Sequence, residues 1–265
     1  MSEQPLKALF FDTFGTLVEW RASVSEELAR ATQKALNDQT KTIPADVRQR
    51  AEALTSSDWQ KFAAEWRKSY GTFTSTFDPS KDEFVSVDQH HYNALQGLLK
   101  KRGISGLFDD KELWELAFTW HRLHPWADSS EGLVQLNKKF ITSTLSNGNL
   151  SLLKDLASFG SLPFTRLTSS EEFGAYKPNP KVYKGAAGIV GLEPSQCGMV
   201  AAHLYDLKAA KECGFHTTVY IEREEEEAFT PEQIEQSKKD GFVDIWVGLN
   251  DGGLLEVARR LRVDG

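Results

Sequence analysis

The sequence predicts an α/β fold, a mostly parallel sheet covered by helices, with a long helical segment inserted after the first strand. Three observations carry this expectation. Short apolar runs recur through the second half of the chain with helical segments between most of them, one such run stands near the start, and residues 20 to 120 contain no convincing strand.

In chain order, LKALFFD (6–12) is a short apolar run closed by a glycine-containing turn, the form of a buried parallel strand. Trp20, Val24, Leu28, Ala31 and Ala35 then recur with a helical period, as do Trp59, Phe62, Ala63, Trp66 and Tyr70. Residues 84–99 and 111–120 add two more helices, and TFTSTFDPSKD (72–82) reads as a loop between helices. In DSSEGLVQL, Asp128 and Glu131 form the spacing of a capping box on a helix that buries Leu133 and Leu136. KFITSTL (139–145), FTRLTSS (164–170), CGMVAAH (197–203), HTTVYIE (216–222) and FVDIWV (242–247) read as the remaining strands. The expected division is a core of residues 1–18 and 125–265 with a helical cap, 19–124, inserted after the first strand and placed to act as a lid.

Bulk properties narrow the function. The 265 residues are 40% hydrophobic and 26% charged, as in a soluble globular protein. A net charge of -7 gives no general attraction to nucleic acid or to anionic membrane, so neither is an expected partner. No apolar run is long enough for a membrane span and MSEQPLK leads straight into the first strand, so a reducing cytoplasm is the expected location. Cys197 and Cys213 lack metal-ligand spacing and read as buried free thiols. His90 and His91 read as a polar helix face, none of the six histidines has zinc spacing, and REEEEAF (223–229) reads as a solvated loop.

In an open α/β sheet the ligand crevice lies at the carboxyl ends of the strands, where strand order reverses. Polar residues follow four expected strands in turn: Asp12 with Thr16, then Ser146 and Asn147, then Lys177, then Asp206. Any one of them is an ordinary turn or cap residue; the set of four at equivalent positions defines a candidate site. DTFGT, STLSNGN, YKPNPKVY and HLYD resemble the four motifs of the haloacid dehalogenase superfamily, most closely its 2-haloacid dehalogenase branch, over residues 6–18 and 126–221. The resemblance implies a Rossmann-like core with a helical cap and a hydrolase whose nucleophile is Asp12. A carboxylate can attack carbon and form a covalent ester, dividing one hard displacement into two easier steps.

Phe14 separates the branches. Phosphatases of the superfamily carry an aspartate there as the acid for a leaving alcohol, and phenylalanine cannot hand over that proton. A halide leaves as a stable anion and needs none. The resemblance therefore implies hydrolysis of small 2-haloalkanoic acids to 2-hydroxy acids, with Thr16, Ser146 and Asn147 bonding the nucleophile or substrate carboxylate. Lys177 would neutralise Asp12 and Asp206, and Tyr183 matches a pocket tyrosine. In the cap, Arg67 of the Trp66–Arg67 pair would meet the halide or the carboxylate, with Trp20–Arg21 as the rival pair. Ala202 and His203 stand where the bacterial pattern has serine and asparagine, so His203 must orient water or Asp206 instead.

No organic cofactor is implied. Mg²⁺ enters only with the alternative reading, a phosphomonoesterase-type hydrolase, because Asp206 has no second acid beside it. A non-enzymatic binding or interaction protein is the other alternative. The expected partner is a small-molecule substrate, with a homodimer left open by analogy.

Overall fold

The structure is a computed structural model that describes residues 5–225 and 228–263. The strands and helices, in chain order, are β1 (Ala8–Phe11), β2 (Val18–Glu19), α1 (Arg21–Asn37), α2 (Ala45–Glu52), α3 (Ser56–Thr76), α4 (Val87–Lys101), α5 (Asp110–Ala117), β3 (His124–Pro125), α6 (Ser129–Leu136), β4 (Ile141–Thr144), α7 (Leu150–Phe159), α8 (Pro180–Ile189), β5 (Cys197–Ala201), α9 (Leu204–Glu212), β6 (Thr217–Ile221), α10 (Pro231–Asp240), β7 (Ile245–Val247) and α11 (Gly253–Arg260).

Five strands form one parallel sheet in the order β4-β1-β5-β6-β7, while β2 and β3 pair antiparallel where the helical segment leaves and rejoins the sheet. Successive side chains of β1 serve opposite faces, as the two-residue period of a strand requires. Leu9 and Phe11 join the apolar cluster under α6, α7 and α11, and Ala8 and Phe10 join the one under α8 and α9. Both faces are covered, which is why the strands read as continuous apolar runs. Chain order departs from β1 to either side, to β4 and to β5, so the reversal point lies at the carboxyl end of β1, where Asp12 stands.

FTRLTSS does not form a ladder strand. Arg166 and Ser169 make only isolated bridges to Ser143 and Ser146. Side chains take over the pairing along this edge: Thr144 Oγ1 donates to the Thr168 carbonyl at 3.0 Å and accepts from the Thr168 amide at 2.8 Å. The Asp128–Glu131 capping box also fails, because the Asp128 carboxylate is drawn away by Arg223 at 2.6 Å and the Leu254 amide at 2.7 Å. Residues 72–76, expected in a loop, continue α3, with Thr74 and Thr76 hydroxyls returned to carbonyls four residues back.

Trp59, Phe62, Ala63, Trp66 and Tyr70 are buried along one face of α3, as their period requires, and Val24, Leu28 and Ala35 of α1 pack in the same cluster. His91 departs from its expected polar face. It is 1% exposed, stacked on Trp120 at 4.5 Å, with Tyr70 and Trp66 around it. Burial lowers its pKa well below the usual imidazole range, so it packs as a neutral ring. Cys197 and Cys213 are buried free thiols. Among the described residues no helix is long and apolar enough to cross a membrane.

Candidate active site

Asp12 leaves the last pair of β1, its amide held by the Val200 carbonyl at 3.0 Å, and its carboxylate is 6% exposed. Two donors fix it: Lys177 Nζ to Oδ1 at 2.9 Å and Thr16 Oγ1 to Oδ2 at 2.8 Å. Thr16 is fixed in turn, because its hydroxyl oxygen accepts from the Ala202 amide at 2.9 Å. Burial opposes ionisation of Asp12, but Lys177, His203 and the two hydrogen bonds prevail and hold its pKa below the usual carboxylate value. An ionised, oriented carboxylate at the inner end of a crevice is suited to nucleophilic attack.

Lys177 lies between two acids. Its ammonium is 2.5 Å from Asp206 Oδ2 as well as 2.9 Å from Asp12. Burial penalises its charge, yet the two carboxylates raise its pKa above that of a free lysine. Asp206 is fully buried, and its other oxygen accepts from the Tyr183 hydroxyl at 2.5 Å. Burial and the charge of Asp12 raise the Asp206 pKa, so Asp12 is the stronger acid of the two. Tyr183, expected against substrate, is 0% exposed; α8 turns it inward, and its hydroxyl is spent on Asp206.

Ser146 and Asn147, which follow β4, are expected on the nucleophile or substrate but bond within the core instead: Asn147 braces the Lys177 loop, and Ser146 the turn that follows it. Asn147 Oδ1 accepts from the Lys177 amide at 2.7 Å and from Ser170 Oγ at 2.8 Å, while Ser146 Oγ accepts from the Gly148 amide at 3.2 Å. Gly148 itself makes room for Phe14, since a Cβ there would approach the Phe14 ring to 3.3 Å. Phe14 is buried, with Tyr70 and Trp120 packed edge-on at 6.0 Å and 6.1 Å, an aromatic wall beside Asp12.

His203 covers the other side. Its Nε2 is 3.1 Å from the Phe14 carbonyl and 3.7 Å from Asp12 Oδ2. A carbonyl only accepts, so Nε2 carries the hydrogen in that contact. The Phe14 carbonyl and the paired carboxylates are the oxygens a Mg²⁺ ion would require. Here the imidazole takes the first and the ammonium takes the others. No group of three acidic, histidine or cysteine side chains converges among the described residues, and this donor set does not fit the metal.

Arg67, on α3, stands across the crevice, its guanidinium 4.8 Å from the Tyr70 ring, 5.8 Å from Phe14 and 6.0 Å from Trp20. With Lys177 and His203 it lines a cavity of about 500 Å³. Arg21 instead stacks on Trp20 at 4.4 Å and faces Glu225 at 3.8 Å.

Glu225 is a site residue that carries no clear signal in the sequence. The acidic run was expected to be solvated, but Glu225 is 4% exposed and accepts from the Trp20 indole at 2.6 Å. It follows β6 at the same sheet edge and lies on Gly15, whose φ of +83° and lack of a Cβ allow the approach. Burial raises its pKa, against the opposing indole bond and nearby cations. Residues 226 and 227 of that run lie outside the described residues. Position after a strand was the available signal, and the charge run obscured it. Asn149, expected only at a helix start, also reaches the helical segment, its amide donating to Asp88 Oδ2 at 2.7 Å.

Comparison with known proteins adds four likenesses. Residues 6–214 match the model of the haloacid dehalogenase-like hydrolase family. The chain is 26% identical to (S)-2-haloacid dehalogenase 1 of Pseudomonas sp. (strain CBS-3) over 88% of its own length and 93% of that protein. Among solved structures, an L-2-haloacid dehalogenase matches at TM-score 0.77 and 29% identity, covering 97% of this chain and 99% of the other. A defluorinating L-2-haloacid dehalogenase matches at TM-score 0.78 and 32% identity, covering 97% and 95%.

Proposed function

The chain belongs to the haloacid dehalogenase-like hydrolase family, and on that premise we propose that it hydrolyses (S)-2-haloalkanoic acids through an aspartyl ester, giving 2-hydroxy acids. Asp12 attacks C2 from the side opposite the halogen, so that the carbon inverts and halide departs with the bonding pair. Arg67 receives the halide or holds the substrate carboxylate, and residues 19–124 act as the cap that brings it over a core of 1–18 and 125–265. Water then attacks the ester carbonyl, guided by His203. The hydroxy acid leaves with the original Asp12 oxygen, and Asp12 regains one from water.

Each neighbour has a task in this scheme. Lys177 and Thr16 keep Asp12 ionised and aimed, then stabilise the oxyanion of the second step. Asp206 and Tyr183 hold Lys177 in place rather than touching substrate. The single observation that carries the reading is the ionised Asp12 beside the Phe14 wall: a carboxylate suited to attack stands next to a ring that has no proton to give a leaving alcohol.

Halide release from (S)-2-chloropropionate, measured beside hydrolysis of a phosphate monoester and with and without chelator, tests it. The expected outcome is halide release unchanged by chelator. Phosphate release that requires Mg²⁺, without halide release, would replace this reading by the phosphatase one.

A further inference from the structure

The cavity beside Asp12 is larger than a small 2-halo acid needs. Taking roughly 30 Å³ for each water-sized group, the handful of heavy atoms of 2-chloropropionate fills well under half of about 500 Å³. The surplus has a direction. Arg67, Gly71 and Ser75 recur every four residues along one face of α3 and all line the cavity. At 1.5 Å rise per residue the row extends for roughly 12 Å. Within the lining Lys177, Tyr70 and Thr74 are buried, while Gly71, Ser75 and Pro178 are exposed, so the row beyond Arg67 opens to solvent.

The chemistry of the lining changes in the same direction. Lys177 and His203 stand at the reacting carboxylate, with Arg67 5.8 Å from the Phe14 ring beside it, and Lys68, the other lysine of the lining, is exposed. Farther out, the hydroxyls of Thr72, Thr74 and Ser75 all donate to carbonyls of their own helix, at 3.1 Å, 3.2 Å and 3.1 Å, and ask nothing of a ligand. Gly71 stands in the middle of the row. A glycine inside a helix costs about 1 kcal/mol relative to alanine, and a Cβ added here would meet nothing within 4 Å. Packing therefore does not require the glycine, and the space it leaves open belongs to the cavity.

Resting on the dehalogenase reading, we infer that the preferred substrates are 2-halo acids whose C2 substituent is a chain of about four carbons, lying along α3 over Gly71 and out toward Ser75. The carboxylate and halogen then occupy the cationic inner end, and Gly71 is the specificity-determining residue for chain length.

The test compares halide release from (S)-2-chlorohexanoate and (S)-2-chloropropionate by the intact enzyme and by Gly71→Leu. The readout is the ratio of the two kcat/KM values, which is independent of the fraction of enzyme that is active. Each buried methylene is worth about fourfold, less where the groove stays open to water; the ratio is expected to favour the hexanoate by about tenfold in the unmodified enzyme. Gly71→Leu is expected to reduce that ratio by at least tenfold. A ratio below one in the unmodified enzyme, or one that Gly71→Leu leaves unchanged, overturns the chain-length assignment while leaving the dehalogenase reading intact. Absence of halide release from both acids removes that reading and the assignment with it.

Discussion

Lys177 and His121 are each held between two carboxylates. Lys177 bridges Asp12 and Asp206, and all three side chains are at most 8% exposed. His121 meets Asp88 of α4 at 3.0 Å and Asp155 of α7 at 2.8 Å, with Asp155 64% exposed. The lysine is a fixed charge in a dry site, where desolvation makes every partner count. The histidine is a clasp between helical segment and core whose charge depends on pH. Burial works against its protonation, but the hydrogen bonds and charges of Asp88 and Asp155 raise its pKa above the ordinary value. Similar geometry thus serves two ends: one cluster holds the Asp12 carboxylate, the other ties α4 and the segment after α5 to α7.

Removing the central cation separates the two. Lys177→Met leaves Asp12 and Asp206 facing each other in the interior. It should cost about 3–5 kcal/mol of stability and at least about a thousandfold in turnover, read by urea denaturation and by halide release. His121→Ala should cost only about 1–2 kcal/mol, because Asp155 keeps its water. The sign of its pH dependence follows from the raised pKa. The stabilisation is complete below the ordinary value of 6.5 and is lost as pH rises through the folded-state pKa. The gap in Tm between the unmodified protein and His121→Ala should therefore narrow toward alkaline pH; a gap that widens would show that the ring clasps its partners in the neutral form.

Glu225 is the intermediate case, a buried carboxylate whose close partner is a neutral donor, the Trp20 indole, with Arg21 more distant. Glu225→Gln keeps an acceptor for that indole and should change stability by less than about 1 kcal/mol. Glu225→Ala orphans the indole and should cost about 1–2 kcal/mol. Equal losses in the two variants would mean that the charge, not the hydrogen bond, is what the site uses.

The difference between these clusters also explains what could be read from the sequence. Asp12 and Asp206 follow strands of the sheet, so topology brings them together; Lys177 follows the segment expected as a strand that forms none, and Asn147 holds its amide at the site. The helical periods of α1 and α3 were equally legible, because a buried stripe repeats. His121 has no such signal: its partners lie 33 and 34 residues away, on helices whose relative packing no local pattern encodes. Glu225 was hidden by its acidic neighbours, and His91 by the polarity of its type. FTRLTSS has a strand's composition but is tied to β4 through threonine side chains, a choice made by tertiary contacts rather than propensity.

The covalent step is tested most directly by one turnover in ¹⁸O-water with enzyme in excess over substrate, followed by mass analysis of the Asp12 peptide and of the hydroxy acid. Attack by Asp12 predicts one heavy oxygen in that peptide and none in the first-formed product. Heavy oxygen in the product with an unlabelled peptide would mean that water displaces the halide itself, and would contradict the account.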